Sequence, residues 1–208
     1  MASWHQKETA AELGADLKTV AERIPRDKVR VCLLADGDPN LWKAMKEAFP
    51  NAREILDYYH ASKYIHDVAE SYYANDSNKA MHWVESTMAR LSLKGGASHV
   101  IGGLKRMQPQ SEEVKEKIRK TINYLSNNKE RLNYWGARVG GYPIGSGGIE
   151  SANRFICHTR LKRSGAWWLV PNCNNMLKLR CAIVNGTFDD MFAKFVTREQ
   201  AKRFAKNT

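Results

Sequence analysis

An apolar run at residues 29–36, VRVCLLAD, constrains the fold more than any other part of the chain. The run is rich in β-branched residues and apolar on both faces, which is typical of a buried central strand. It ends at Asp36, and a helix with one apolar stripe is predicted over residues 41–49. A second strand is predicted within REILDYY, residues 53–59. This strand–helix–strand order favours an α/β layer with two parallel strands.

The periodicity of apolar residues changes after His60. From residue 61 to about 135 the spacing predicts helices alone, with three apolar stripes. The stripes contain Ile65, Val68 and Tyr72; Met81, Val84, Met88 and Leu91; and Val114, Ile118, Ile122 and Leu125. A glycine-rich segment at 136–148 then leads into predicted helices at 148–163 and 173–185 and a basic tail. A long helical block after an α/β unit indicates an inserted subdomain.

Length and charge narrow the classes of function. The 208 residues suggest one domain with an insertion, and a hydrophobic fraction of 43% excludes a globally disordered chain. The net charge of +11 favours a polyanionic partner, most simply nucleic acid. Charge alone leaves open a protein that is basic without such a partner.

The cysteines, the first ten residues and the lengths of the apolar runs indicate in which cellular compartment the protein is expected. Cys32, Cys157, Cys173 and Cys181 form no CxxC pair, and no histidine lies at zinc-finger spacing, so a structural zinc site is not expected. The pattern is typical of a reducing compartment. The first ten residues are polar, and no apolar run approaches the roughly 20 residues that span a membrane. We expect a cytoplasmic protein.

Two aspartates close the predicted strands. Asp36 follows the first strand and Asp57 the second, with His60 three residues later. Ligands of open α/β sheets bind at the carboxyl ends of the strands, so both acids are candidate site residues. The alternative is structural: Asp36 would cap a turn and Asp57 would cap the following helix.

A third acid, Glu150, lies in the first turn of a predicted helix, after three closely spaced glycines. With Asp36 it could share divalent cations with phosphate oxygens, an arrangement that stabilises the attacking and leaving oxygens of a phosphodiester displacement. The alternative is that Glu150 complements the helix dipole and pairs with Arg154.

Basic residues follow Glu150 on the same helix. The candidate DNA-binding residues are Arg154, His158, Arg160, Lys162 and Arg163. They would hold a nucleic-acid strand beside the acids, although a basic run can also be a solvated helix end. Trp167 and Trp168 could stack on bases or could pack in a core or an interface.

Four blocks of the sequence resemble a known family. LLADGDPNLW, FPNAREILDYYHASKYI, YPIGSGGIESANRFICHTRLKRSGAWW and NNMLKLRCAIVNGTFDDMF are similar to consecutive blocks of the DDE transposases of bacterial insertion sequences, with the ISKra group most similar. The resemblance implies an α/β fold with a partial ribonuclease-H-like core and an all-helical insertion. On that layout, residues 1–60 form the first part of the core, 61–143 the insertion, and 144–208 the helices that complete the core and a basic tail.

The resemblance also assigns roles to individual residues. It implies that Asp36 and Glu150 are the second and third catalytic acids and bind Mg²⁺ or Mn²⁺, and that Asp57 and His60 are an accessory pair outside the metal site. The family's first catalytic aspartate precedes these blocks, and residues 1–28 contain no strand that could carry it. The chain therefore resembles the C-terminal part of such a transposase.

The implied function is DNA strand cleavage and transfer at insertion-sequence ends with a divalent metal, incomplete in the isolated chain. The partners would be transposon-end and target DNA, with self-association or association with full-length transposase. A non-catalytic remnant that binds transposon ends, or inhibits full-length transposase, is the main alternative. A helical protein-interaction module that is basic by chance is the third.

Overall fold

The computed structural model describes residues 9–25 and 28–205. These residues form two compact units, one spanning Ala10–Ser146 and one containing the residues from Gly147 onward together with Thr9. The first unit contains helices α1 (Ala10–Arg23), α2 (Pro39–Ala48), α3 (Tyr58–Tyr72), α4 (Ser77–Leu91), α5 (Gly96–Lys105), α6 (Glu112–Asn127) and α7 (Tyr134–Val139), strands β1 (Cys32–Ala35) and β2 (Arg53–Leu56), and a 3₁₀ turn (Lys129–Leu132).

The two strands are parallel neighbours, as the sequence predicts. Their register runs from the pair Cys32–Arg53 to the pair Ala35–Leu56. Leu56 is fully buried, and Glu54 on the same strand binds the Arg131 side chain at 2.7 Å. This ion pair ties β2 to the 3₁₀ turn, and the Arg131 guanidinium also lies 4.2 Å from the Trp42 ring centroid.

The expected fold class, α/β with a partial ribonuclease-H-like core, is wrong. In the described part of the chain the sheet consists of two strands of four residues each, and the other regular elements are helices. The run at 29–36 is apolar on both faces, yet Leu33 alone among β1 residues is buried. A strand with one neighbour and half-exposed side chains is not the centre of a large sheet. The helices bury most of the apolar surface instead.

Residues 61–135 are helical, as the periodicity predicts, and they form most of the core. Ile65 and Val68 on α3, Leu91 on α4, Leu104 on α5 and Leu125 on α6 are each at most 1% exposed. Helices α3, α4, α5 and α6 pack against one another, and α1 packs against α2. Full burial of such aliphatic side chains contributes about 1.5–3 kcal/mol each relative to exposure, so these helices hold the unit together.

The second unit contains α8 (Gly147–Asn153), a π-helical turn (Arg154–His158), α9 (Thr159–Leu161), α10 (Val170–Val184) and α11 (Phe188–Ala205). Its small core consists of Ile156, Leu177 and Cys181, with Cys157 and Cys173 packed against it. The predicted basic tail is helical as far as Ala205, and residues 206–208 lie outside the described range. Within the described residues no helix is both long enough and apolar enough to cross a membrane.

Candidate functional site

Asp36 lies directly after β1, where the sequence places it. Its Oδ1 atom accepts a hydrogen bond from the backbone N–H of Asp38 at 3.1 Å, and its carbonyl accepts from the Trp42 indole N–H at 2.6 Å. The Asp38 carboxylate in turn accepts from the N–H groups of Asn40 and Leu41 and caps α2. The turn after β1 is therefore held by its own polar groups, as the structural interpretation of Asp36 requires.

Asp57 has a more demanding role. Its side chain is the N-cap of α3, because Oδ1 accepts from the N–H of Tyr59 at 2.7 Å and of His60 at 3.1 Å. Its Oδ2 atom accepts from the N–H of Ser146 at 2.9 Å. The residue is 5% exposed. Asp57 therefore joins the end of β2, the start of α3 and the glycine-rich segment far downstream.

The segment that reaches Asp57 carries the glycines of the IGSGG motif. The Tyr58 N–H donates to the Ile144 carbonyl at 2.9 Å, next to the Asp57–Ser146 contact. A Cβ atom on Gly145 would lie 2.8 Å from the Tyr59 ring, so any residue other than glycine here would displace that exposed ring. This glycine is explained by packing at the strand edge.

Gly37, in the turn after β1, also lies too close to an aromatic ring for a residue with a side chain. A Cβ atom there would overlap the Tyr124 ring. That ring stacks on Tyr64 with a centroid distance of 3.8 Å and an interplanar angle of 12°. The glycine in the Asp36–Gly37 turn is therefore needed so that this turn can lie against the Tyr124 side chain of α6.

Two tyrosines that the sequence analysis did not single out lie beside the aspartates. Burial raises the pKa of Tyr124, and the neighbouring Tyr64, Asp36 and Asp57 raise it further. Burial likewise raises the pKa of Tyr134, with Asp57 the next cause. Both hydroxyl groups are buried and have no hydrogen-bond partner among the described residues. Neither tyrosine belongs to a sequence motif. Both come from helices of the predicted insertion, Tyr124 from α6 and Tyr134 from α7.

His60 belongs to the same group of side chains. Its ring lies 6.3 Å from the Tyr124 ring and 6.2 Å from the Tyr64 ring, measured between centroids. The carboxyl edge of the two strands thus gathers Asp36, Asp57 and His60 around Tyr124. Asp36 and the Asp57–His60 pair, which belong to two different sequence blocks, are brought to one aromatic side chain.

The strand edge on its own does not fit a two-metal site. Mg²⁺ requires near-octahedral coordination by oxygen ligands, usually including one or two carboxylates. Both oxygens of Asp57 accept backbone N–H groups, and of the four carboxylate oxygens of Asp36 and Asp57 only Asp36 Oδ2 receives no hydrogen bond within the described residues. In the same residues no group of three His, Cys, Asp or Glu side chains is placed to hold a metal ion.

Glu150 and the predicted DNA-binding residues lie in the second unit. Glu150 is exposed in the first turn of α8, and Arg154, Arg160, Lys162 and Arg163 are exposed beyond it. His158 ends the π-helical turn and is also exposed. That Asp36 and Glu150 approach each other stays a prediction.

Side chains stabilise the carbonyl groups of this basic helix. Arg180 on α10 donates to the Phe155 carbonyl at 2.6 Å, inside the π-helical turn. The Arg163 Nε–H donates to the Thr159 carbonyl at 2.8 Å, in the last turn. These bonds hold the segment that carries the cations in one helical conformation.

The charge of the second unit is strongly one-sided. No Asp or Glu occurs from residue 151 to 188, and that stretch contains six Lys or Arg residues: Arg154, Arg160, Lys162, Arg163, Lys178 and Arg180. From residue 147 to the C-terminus there are 11 basic and 4 acidic residues, so this part carries 11 − 4 = +7 of the total +11. Among described residues from 147 onward, the salt bridge present is Lys202–Glu199. None of the six cations therefore forms a salt bridge with an acid in the described part of this unit.

No protein-family model matches the chain, and neither a curated protein nor a solved structure matches it.

Proposed function

We propose that the chain is a DNA-binding portion of a DDE-type transposase of bacterial insertion sequences, and that it acts in the cytoplasm on transposon ends. The observation that carries the proposal is the hydrogen bond from the Ser146 N–H to Asp57 Oδ2, at 2.9 Å. It joins two of the sequence blocks that resemble the family. The block LLADGDPNLW contributes Asp36, which directly follows β1 at the same strand edge.

The convergence supports the resemblance because the blocks are remote in sequence. Asp57 and Ser146 are 89 positions apart, and a helical segment separates them. A chance likeness of short motifs gives no reason for their backbones to meet. Gly37 and Gly145 also lie where another side chain would overlap an aromatic ring, so the motif glycines have a physical role.

The charge distribution supports DNA as the partner. The six cations between residues 151 and 188 have no acidic residue within that stretch. Cations of this kind bind phosphates and release the condensed counterions of DNA, which gives affinity without regard to sequence. We assign Arg154, His158, Arg160, Lys162 and Arg163 to phosphate contacts.

A second candidate is strand cleavage and transfer with Mg²⁺ or Mn²⁺, with Asp36 and Glu150 as catalytic acids and Asp57 and His60 as the accessory pair. The position of Asp36 at the carboxyl end of a parallel strand favours it. DNA binding is preferred because Asp36 and Asp57 together offer a metal only one carboxylate oxygen that accepts no backbone N–H group. Association with full-length transposase would supply further ligands.

The test of the proposed function is the affinity of the full chain for duplex DNA as a function of salt. The observed association constant should fall steeply with salt, because each neutralised phosphate adds about 0.9 to the slope of the logarithmic plot. A duplex that carries insertion-sequence ends and a scrambled duplex would be compared. An association constant that does not change with salt, or no binding at low salt, would contradict the proposal.

A further inference from the structure

The two tryptophans after the basic helix differ sharply in exposure. Trp167 is 96% exposed, whereas Trp168 is 38% exposed. A nearly fully exposed tryptophan is unusual, because burying such a side chain is among the larger favourable terms in folding. Neither a core nor an interface within the described residues covers Trp167.

A tight turn sets the position of Trp167. The Ala166 N–H donates to the Arg163 carbonyl at 3.1 Å, and Gly165 adopts a φ of 75°. That φ is in the left-handed region, which glycine enters without steric cost. The turn follows the basic helix, and Trp167 is the first residue after it, four positions beyond Arg163.

The surroundings of Trp167 are cationic. Arg160 is exposed in α9, Lys162 and Arg163 are exposed directly after it, and no acidic residue occurs from 151 to 188. Arg163 is also fixed, because its Nε–H is bonded to the Thr159 carbonyl. An exposed aromatic ring next to cations that no acid of the same stretch neutralises is the combination that binds single-stranded nucleic acid: the ring stacks on a base and the cations track the phosphates.

We propose that Trp167 is a stacking platform for an unpaired base of single-stranded DNA, with Lys162 and Arg163 binding the adjacent phosphates. The inference rests on the proposed function, since it names the form of DNA that the basic segment takes. In a duplex both faces of a base are covered by its neighbours. The exposed indole therefore distinguishes an unpaired strand from a duplex, while the cations do not.

Two other partners share part of this chemistry. Single-stranded RNA also offers bases and phosphates, and an acidic membrane surface attracts cations next to an exposed tryptophan. The block resemblance to DNA transposases, together with the position of Trp167 inside one of those blocks, favours DNA. Both alternatives are outcomes of the test.

The experiment measures binding of the full chain to fluorescein-labelled oligo-dT of about 20 nucleotides and to a duplex of equal length by fluorescence anisotropy. Trp167→Ala should weaken oligo-dT binding about tenfold, since base–aromatic stacking is lost. Duplex affinity should change less than about twofold, because the phosphate contacts remain. Trp167→Phe should retain most of the oligo-dT affinity. Trp135→Ala, at a tryptophan 41% exposed in the first unit, is the matched control and should change neither value.

The remaining outcomes separate the two proposals. If Trp167→Ala leaves oligo-dT binding unchanged, or weakens both DNAs equally, the stacking platform is wrong while DNA binding stands. If the wild-type chain binds neither DNA, both proposals fail. Binding at least about tenfold tighter to the matching RNA, or to vesicles rich in phosphatidylserine, would overturn the assignment to single-stranded DNA.

Discussion

Asp57 Oδ2 accepts a hydrogen bond from the backbone N–H of Ser146 at 2.9 Å, across 89 positions of the chain. The same carboxylate caps α3 through its other oxygen. One buried side chain therefore fixes both the start of the first helix after the sheet and the arrival of the IGSGG segment. The stability of that junction can be tested directly.

Asp57→Asn should destabilise the first unit by about 1–3 kcal/mol, because an amide replaces one acceptor oxygen with a donor and leaves a buried backbone N–H without a partner. Urea denaturation of the full chain measures the loss. Asp38→Asn is the matched control: Asp38 caps α2 through one oxygen, and asparagine is as good an N-cap as aspartate. Equal losses in the two variants would show that the Ser146 contact contributes nothing.

Gly37→Ala should destabilise the chain by about 1–3 kcal/mol, because the added methyl group overlaps a Tyr124 ring that is held by stacking on Tyr64. Gly145→Ala should cost less than about 1 kcal/mol, because the Tyr59 ring it meets is 59% exposed and can swing into solvent. Thermal or urea unfolding of both variants gives the comparison. A larger loss for Gly145→Ala would contradict this account of the two glycines.

Glu54 should contribute to the acid sensitivity of the fold. Burial acts to raise its pKa, but hydrogen bonds from Arg131 and Lys46, with their charges, lower it overall. A depressed folded-state pKa stabilises the protein above the unfolded pKa of about 4.3, and this contribution is lost as pH falls through the folded pKa.

Glu54→Gln should therefore reduce the difference in unfolding free energy between neutral pH and about pH 3, by at most about 1 kcal/mol after solvent screening. Urea denaturation at the two pH values measures it. Glu112→Gln, at an exposed ion pair with Lys115, is the control and should have a smaller effect. An unchanged pH dependence in Glu54→Gln would refute the role of this ion pair.

Changing Arg160, Lys162 and Arg163 together to alanine should weaken DNA binding uniformly across sequences and lower the salt slope by about two to three units. The measurement is a salt titration of duplex affinity. The matched control removes three cations from α6, Lys115, Arg119 and Lys120, which already face Glu112 and Glu116. An unchanged slope in the first variant would place the DNA surface elsewhere.

The chain alone should bind magnesium or manganese weakly and nick a supercoiled plasmid little or not at all with manganese present. The reason is that the strand edge lacks the carboxylates of a two-metal site. Gel assays with the wild type and Glu150→Gln test this. Robust nicking that disappears in Glu150→Gln would mean that this chain completes its own site.

Local patterns predicted the elements better than their assembly. The parallel pairing of Cys32–Ala35 with Arg53–Leu56 followed from the strand–helix–strand order. The fold class, which rested on the strand–helix–strand order and on the family resemblance, was wrong, because apolar residues on both faces of the run before Asp36 indicate that it is covered but do not specify whether strands or helices cover it. Helix α11 was missed because its apolar residues do not lie on one face, and helices without an apolar stripe leave no periodic signal.

The sequence also predicted only some of the residues of the candidate site. Asp36, Asp57 and His60 were found because strand ends carry ligands, a rule that needs only their position after an apolar run. Tyr124 could not be found this way, because its place beside Asp36 depends on how α6 packs against α3 and the turn after β1.

The π-helical turn at Arg154–His158 has a geometric consequence for everything after it. A π turn holds one residue more than an α-helical turn, and each residue of an α-helix rotates the direction of the side chain by about 100°. The Arg160 side chain in α9 therefore emerges about one-quarter of a revolution away from where an unbroken helix beginning at Gly147 would aim it, and Lys162 and Arg163 follow directly after α9. The direction of Arg160 relative to Glu150 is thus set by a single surplus residue in the helix, and not by the identity of the cation itself.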